Sequence, residues 1–337
     1  MLGSIVALLA LGLLKIAAPV FIALLLTVLM VYLVDPIPIF LERRGVAPWL
    51  AGLLAIVVFA ILFFGLGTLV VIDLARFGRN FPSFAERLIT AVEGAIQSIG
   101  AAVGLNVSRA SLEQLRAFPV PSTLMSTARG AAGVLADVGL VFFLAAILLV
   151  GKHQIPARLA AVFPGRGNRV RSVLEEVDRH LRAFLGIKSF VSLCIGIGSA
   201  VILLAFRVEF AITWGFLALL LNFVPTIGPI LAVTAPVLLS FVQFDTIVRP
   251  LAIAASLSAL HAGIAGYLEP KLMGERLNLS FFVIFLSLLI WGWMWGAAGI
   301  LLAVPVTASI RIVLDSIPRT RRLATLLGRS GRPPADS

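Results

Sequence analysis

The stretch Trp214-Gly-Phe-Leu-Ala-Leu-Leu-Leu-Asn222-Phe-Val-Pro225-Thr226-Ile-Gly228-Pro229 decides the fold. It lies inside a long apolar run covering residues 210–241, and two prolines and a glycine break that run near its middle. Proline removes a backbone donor and its ring clashes with the preceding turn, so a regular helix cannot pass smoothly through Pro225. In hydrocarbon the freed carbonyls need partners, and such a break survives only where protein or a wet cavity covers it. Gly228-Pro229 can restart a helix, because proline fits the first helical position. The pattern predicts a discontinuous membrane helix with Asn222 and Thr226 at the break, a form that substrate sites take in many secondary transporters. A plain proline kink, or a loop between two short spans, fits the same residues.

The composition around this stretch sets the solvent. Of 337 residues, 60% are hydrophobic and 13% charged, and the mean hydropathy is +1.09. A soluble domain carries about 25% charged residues, so the chain reads as an integral membrane protein and soluble-enzyme readings are poor. The net charge of +11 fits basic cytoplasmic loops. No interleaving of basic and aromatic residues points to a nucleic-acid partner. The one cysteine, Cys194, lies in an apolar segment, so no disulfide forms within the chain.

Residues 1–72 read as N-terminal membrane spans. Residues 1–14 are apolar but shorter than the ~20 residues a span needs, and they lack the basic start and cleavage site of a signal peptide. Residues 16–34 form a first full span, closed by Asp35-Pro-Ile-Pro and followed by Arg43-Arg44, and residues 49–72 form the next. Residues 73–130 have a soluble composition. Phe84, Leu88, Val92 and Ile96 recur at helical spacing there, which predicts a small extracytoplasmic helical insertion with Phe118-Pro-Val-Pro as a rigid connector. Residues 131–151 return through the membrane. Residues 152–185 are strongly basic, and Val170, Leu174, Val177, Leu181 and Phe184 form an apolar stripe, as in a cytoplasmic helix lying on the leaflet or against the bundle.

Residues 186–315 form a C-terminal membrane core and residues 316–337 a basic tail. The core holds a span over 186–206, with Gly196-Ile-Gly198 permitting close helix contact. After the opening stretch come a span over 251–268 and an apolar run over 281–310, interrupted by Gly296-Ala-Ala-Gly299 and Pro305. Trp214-Gly215 precedes Pro225 much as Trp295-Gly296 precedes Pro305, an echo of the paired interrupted segments of transporters. With Arg43-Arg44, the basic segment and the tail on one side, the positive-inside rule makes that side cytoplasmic.

Catalytic signatures are missing. There is no phosphate-binding Gly-x-x-x-x-Gly-Lys-Ser/Thr loop, no His-Glu-x-x-His and no nucleophile elbow. His261 lies within an apolar span, where an ionisable group is a functional candidate by default, beside the simpler reading of a neutral histidine bonded to a neighbouring helix. Glu269 before Pro270 stands at a span end, suited to binding a cation, capping a helix or pairing with Lys271.

Four signatures in order resemble the autoinducer-2 exporter family. They are Asn222-Phe-Val-Pro225-Thr-Ile-Gly228-Pro229, Leu268-Glu269-Pro270-Lys-Leu-Met-Gly274, Leu279-Ser280, and Trp291-Gly-Trp-Met-Trp-Gly296-Ala-Ala-Gly299-Ile-Leu-Leu-Ala-Val-Pro305. The resemblance covers nearly the whole chain. It implies a polytopic, oligomeric protein of the bacterial inner membrane that moves a small solute: autoinducer-2, a furanosyl quorum-sensing signal, in the named activity, and sodium or lithium against protons in other members. His261 and Tyr267 depart from the family pattern, which has asparagine on this span.

The sequence therefore predicts an all-α integral membrane protein of about seven to eight transmembrane helices, with discontinuous helices and the small extramembrane insertion. The expected function is export of a small polar solute resembling autoinducer-2, with a sodium(lithium)/proton antiporter as the alternative. Asn222, Pro225, Thr226, Gly228, Pro229, His261, Glu269 and Pro270 are the expected substrate and translocation residues. Expected partners are the solute, the bilayer and further copies of the chain, with no nucleic acid, no cofactor and no metal. The expected location is the inner membrane, with a cytoplasmic C-terminus.

Overall fold

The computed structural model describes residues 12, 15–103, 120–151, 167–225, 227–244, 246–273, 280–316 and 320. Among these there is no strand. The helices are α1 (Ala18–Val34), α2 (Pro36–Glu42), α3 (Pro48–Val103), α4 (Val120–Gly151), α5 (Gly167–Ala205), α6 (Ala211–Leu221), α7 (Ile227–Gln243), α8 (Val248–Gly263), a π-turn (Ile264–Leu268), α9 (Glu269–Met273) and α10 (Phe281–Ser316). Among the described residues, five helical stretches are long and apolar enough to cross a bilayer: Ala18–Glu42, Pro48–Arg79, Arg171–Ala205, Val248–Met273 and Phe282–Ser316. Shorter apolar helices accompany them. The chain is an all-α integral membrane protein. It divides into two compact units, one of Met1–Ala60, Val138–Val191 and Leu268–Ser337, the other of Ile61–Asp137 and Ser192–Tyr267.

In the second unit the deciding stretch is a helical hairpin. Ala211 of α6 and Leu239 of α7 share one buried cluster with Leu203, Val208, Ile253 and Leu257, whereas a through-going helix would hold Ala211 and Leu239 about 42 Å apart. The base is clamped by one side chain. The Gln243 Nε2 donates to the Arg207 carbonyl at 2.8 Å, and its Oε1 accepts the Glu209 amide at 2.9 Å. Arg207 and Phe210 both take positive φ, which turns the chain into α6. The 11 residues of α6 reach only about 16 Å, against a hydrocarbon thickness of about 30 Å. A hairpin arm that short turns back before it could cross such a layer. The expected discontinuous helix is thus a reversal, with the new helix starting at Ile227 and Pro229 as its third residue. A Cβ on Gly228 would overlap the Leu221 carbonyl, so glycine is required where the arms leave the tip. Beyond the hairpin, α5 and α6 approach through Gly196 and Gly215, and Gly198 sits against Leu260 of α8, so the small residues of 196–198 do allow close contact.

In the first unit α10 also reverses. Gly296, at φ 62° and ψ −140°, is the one non-helical residue inside it. Val283 and Ala308 pack together, and the Trp291 Nε1 donates to the Thr307 Oγ1 at 3.1 Å. In a straight helix residues 291 and 307 would be about 24 Å apart. Pro305 interrupts nothing; it lies within the second arm. The echo between Trp214-Gly215 and Trp295-Gly296 has a different outcome at each copy: the second Trp-Gly is itself the tip, whereas the first tip follows well after Gly215.

Two span boundaries also move. Asp35 does not close the first span, because backbone hydrogen bonds run on through it from Val31 to Ile39 and its side chain is 2% exposed. The amphipathic stripe of 170–184 is no separate surface helix; α5 continues from it into the span, with Leu185 buried. Residues 73–103 likewise continue α3 without a break. Residues 104–119 and 152–166 fall outside the described residues.

Single cysteines placed at Glu209 and Thr246, with Cys194→Ser as background, are expected to react with an impermeant thiol reagent from the same membrane face. A second pair at Ser280 and Ser316 is expected to share a face in the same way. Labelling of either pair from opposite faces would show a through-going helix instead of a hairpin.

Candidate functional site

The predicted residues fall into the two units. In the first unit, the Lys188 Nζ donates to the Glu269 carboxylate at 2.6 Å, with side chains only 10% and 16% exposed. Lys188 is the one charged residue of α5 between Arg182 and Arg207. The π-turn directly precedes Glu269. A π-turn inserts an extra residue and rotates everything after it, and such turns gather at functional sites. Ionisable groups at membrane depth face protein or a wet path and are functional by default. Glu269 thus has Lys188 as a partner, besides the roles of cation ligand, helix cap or partner of Lys271 expected for it. Pro270, next to it, is exposed.

A second ionic group ties α1 to α5. Arg182 donates to the buried Asp35 carboxylate and, at 3.3 Å, to Asp178. The Tyr32 hydroxyl donates to Asp178 at 2.8 Å, and the Arg182 guanidinium lies 5.8 Å from the Tyr32 ring centre. Beside this group a cavity of about 310 Å³ opens between α1, α5 and the second arm of α10, lined by Leu25, Leu29, Leu181, Leu185, Leu302 and Val306 among others. Its lining is apolar, which suits hydrocarbon better than a polar solute.

In the second unit, Asn222, Pro225, Gly228 and Pro229 share the hairpin tip; Thr226 lies outside the described residues. The Asn222 Nδ2 donates to the Ser192 Oγ at 2.9 Å, and both side chains are buried. This bond fastens the tip to α5. His261 is buried on α8, and neither ring nitrogen has a partner among the described residues. Lys188, Ser192, Asp35 and Arg182 were missed as site residues. Lys188 carried a signal, a lone charge in an apolar span; a serine on such a span carried none.

Reversing apolar hairpins and buried ion pairs are features that membrane transporters share. A family model described as AI-2E family transporter matches residues 4–319. The chain belongs to the AI-2E transporter family. Among its AI-2E relatives, the "Putative transport protein" of Haemophilus influenzae is 31% identical over 338 residues, 97% of this chain and 95% of that one. The "Putative transport protein YhhT" of Escherichia coli K12 is 29% identical over 94% of this chain and 90% of its own. The "AI-2 transport protein TqsA" of the same strain is 28% identical over 253 residues, 74% of this chain and 72% of its own. The AI-2E chain described here is a multi-pass membrane transporter.

Breaking the buried pair strands a charge in the protein interior. Lys188→Met or Glu269→Gln alone is expected to lower stability by about 3–5 kcal/mol, and the double variant by less than either single change. Thermal unfolding of the three variants in detergent reads this coupling, and losses that simply add would show that the two side chains do not depend on each other.

Proposed function

We propose that this transporter carries a small neutral polar solute across the cytoplasmic membrane, and that autoinducer-2 belongs to the class it accepts. The observation that carries the reading is the α6–α7 hairpin, which turns back before it could cross the apolar layer and presents Asn222 and loop backbone at its tip. Helix ends and unwound backbone at mid-membrane are the elements with which secondary transporters hold solutes. The cargo is supported by the name of TqsA, whose likeness covers 74% of this chain. Opening the Asn222–Ser192 bond would free one amide and one hydroxyl for a solute hydroxyl or carbonyl. The Lys188–Glu269 pair is neutral overall, so it can part and re-form during a cycle without moving net charge.

The test is uptake of autoinducer-2 into liposomes holding the purified protein, with proton and sodium gradients imposed in turn. Uptake above that of protein-free liposomes is expected. Asn222→Ala, inserted to the same level, is expected to weaken apparent affinity about tenfold, the effect of losing a hydrogen bond of 1–2 kcal/mol. Uptake equal to that of empty liposomes would remove the reading.

A further inference from the structure

Three buried polar groups of the second unit have no hydrogen-bond partner among the described residues: the Ser199 hydroxyl, the Trp214 indole Nε1 and the His261 ring. They belong to α5, α6 and α8, and the helix contacts place them at one level. A Cβ on Gly198 would come within 2.9 Å of the Leu260 side chain, and one on Gly215 within 2.6 Å of the Ala200 Cβ. Ser199 thus sits between the two crossings of α5, beside the neighbours of His261 and Trp214. All three also border one apolar cluster. Leu203 lies one helical turn after Ser199 and Leu257 one turn before His261. Ala211 lies three residues before Trp214, whose ring packs on the same cluster.

A fourth group joins them from α7. Pro236, fully buried inside that helix, has no amide to give the Ala232 carbonyl. Val233 and Val237 of the same helix pack on the cluster. An unmade hydrogen bond costs about 1–3 kcal/mol for each buried group, and in hydrocarbon no water makes up for it. Three such side-chain groups at one level of α5, α6 and α8, with the Ala232 carbonyl that Pro236 cannot serve, describe a binding surface better than a packing fault.

We infer that Ser199, Trp214, His261 and the Ala232 carbonyl form a binding site for a small neutral polyhydroxylated solute, at the deep edge of the apolar cluster between α5, α6, α7 and α8. The proposal rests on the transporter reading and names the chemistry of its cargo. The indole offers only a donor, the carbonyl only an acceptor, and serine and histidine offer both. A hydroxyl matches each of them. No Asp, Glu, Lys or Arg stands within a turn of these residues on their own helices; Asp73 of α3 reaches the neighbouring Thr213 hydroxyl but is paired with Arg76.

Ser199→Ala and Trp214→Phe each delete one polar atom and keep the packing shape. In purified protein, both are expected to leave the ligand-free melting temperature unchanged or higher, because an unmatched group is removed. Both are expected to weaken binding of autoinducer-2 and of erythritol about tenfold, with lithium chloride failing to compete. Lower melting temperatures with unchanged binding would make these groups structural and overturn the proposal. Unchanged melting and unchanged binding would overturn the site and leave transport standing. A wild-type protein that moves autoinducer-2 into liposomes yet shows no change in binding with either variant places the cargo elsewhere. Absence of both flux and binding would remove the transporter reading itself.

Discussion

A peptide group in hydrocarbon must find its hydrogen bond within the protein, and this constraint shapes every irregular feature of the chain. The ladder of α1 runs on through Asp35 into α2 although Pro36 and Pro38 follow it. At the first hairpin the tip closes on itself: the Val224 amide bonds the Leu221 carbonyl at 2.8 Å and the Gly228 amide bonds Val224 at 3.1 Å. The base cannot do so with backbone alone, and Gln243 supplies both a donor and an acceptor. At the second hairpin a single left-handed glycine suffices, since Gly296 takes a conformation that other residues rarely adopt.

The charges of the first unit obey the same constraint in electrostatic form. Lys188 with Glu269, and Arg182 with Asp35 and Asp178, leave each buried charge beside its opposite. Such pairs add little net stability over apolar packing, but a missing partner is severe. They act mainly as register marks: they fix which turn of α5 faces α1 and which faces α9.

Much of this was legible in the sequence. Apolar length gave the spans, Pro225 and Gly228 gave the first break, and Glu269 stood out as a charge at a span end. Direction was not legible. Periodicity and hydropathy are the same for a helix that continues and one that folds back, so both reversals were read as through-going runs. Reading either run as crossing moves the chain to the other face, and two such errors cancel. Glu269, read only as a residue at a span end, was not matched with Lys188 in the sequence. The ion pair, between residues far apart in the chain, settles their common depth. Asp35 was taken as a boundary because aspartate before proline ends most spans; its partner Arg182 is what lets it stay inside.

The shortness of α6 bears on how the protein is made. With 11 residues it cannot stop in a bilayer as a span of its own, which takes about 20. It has to be laterally released together with α7, as a preformed pair. Until the ribosome has delivered Gln243, the turn at Arg207 and Glu209 has only local backbone bonds to hold it and lacks its side-chain clamp. Biogenesis of this segment is thus gated by its last residue, and a truncated nascent chain ending before Gln243 leaves α6 without a stable place in the membrane.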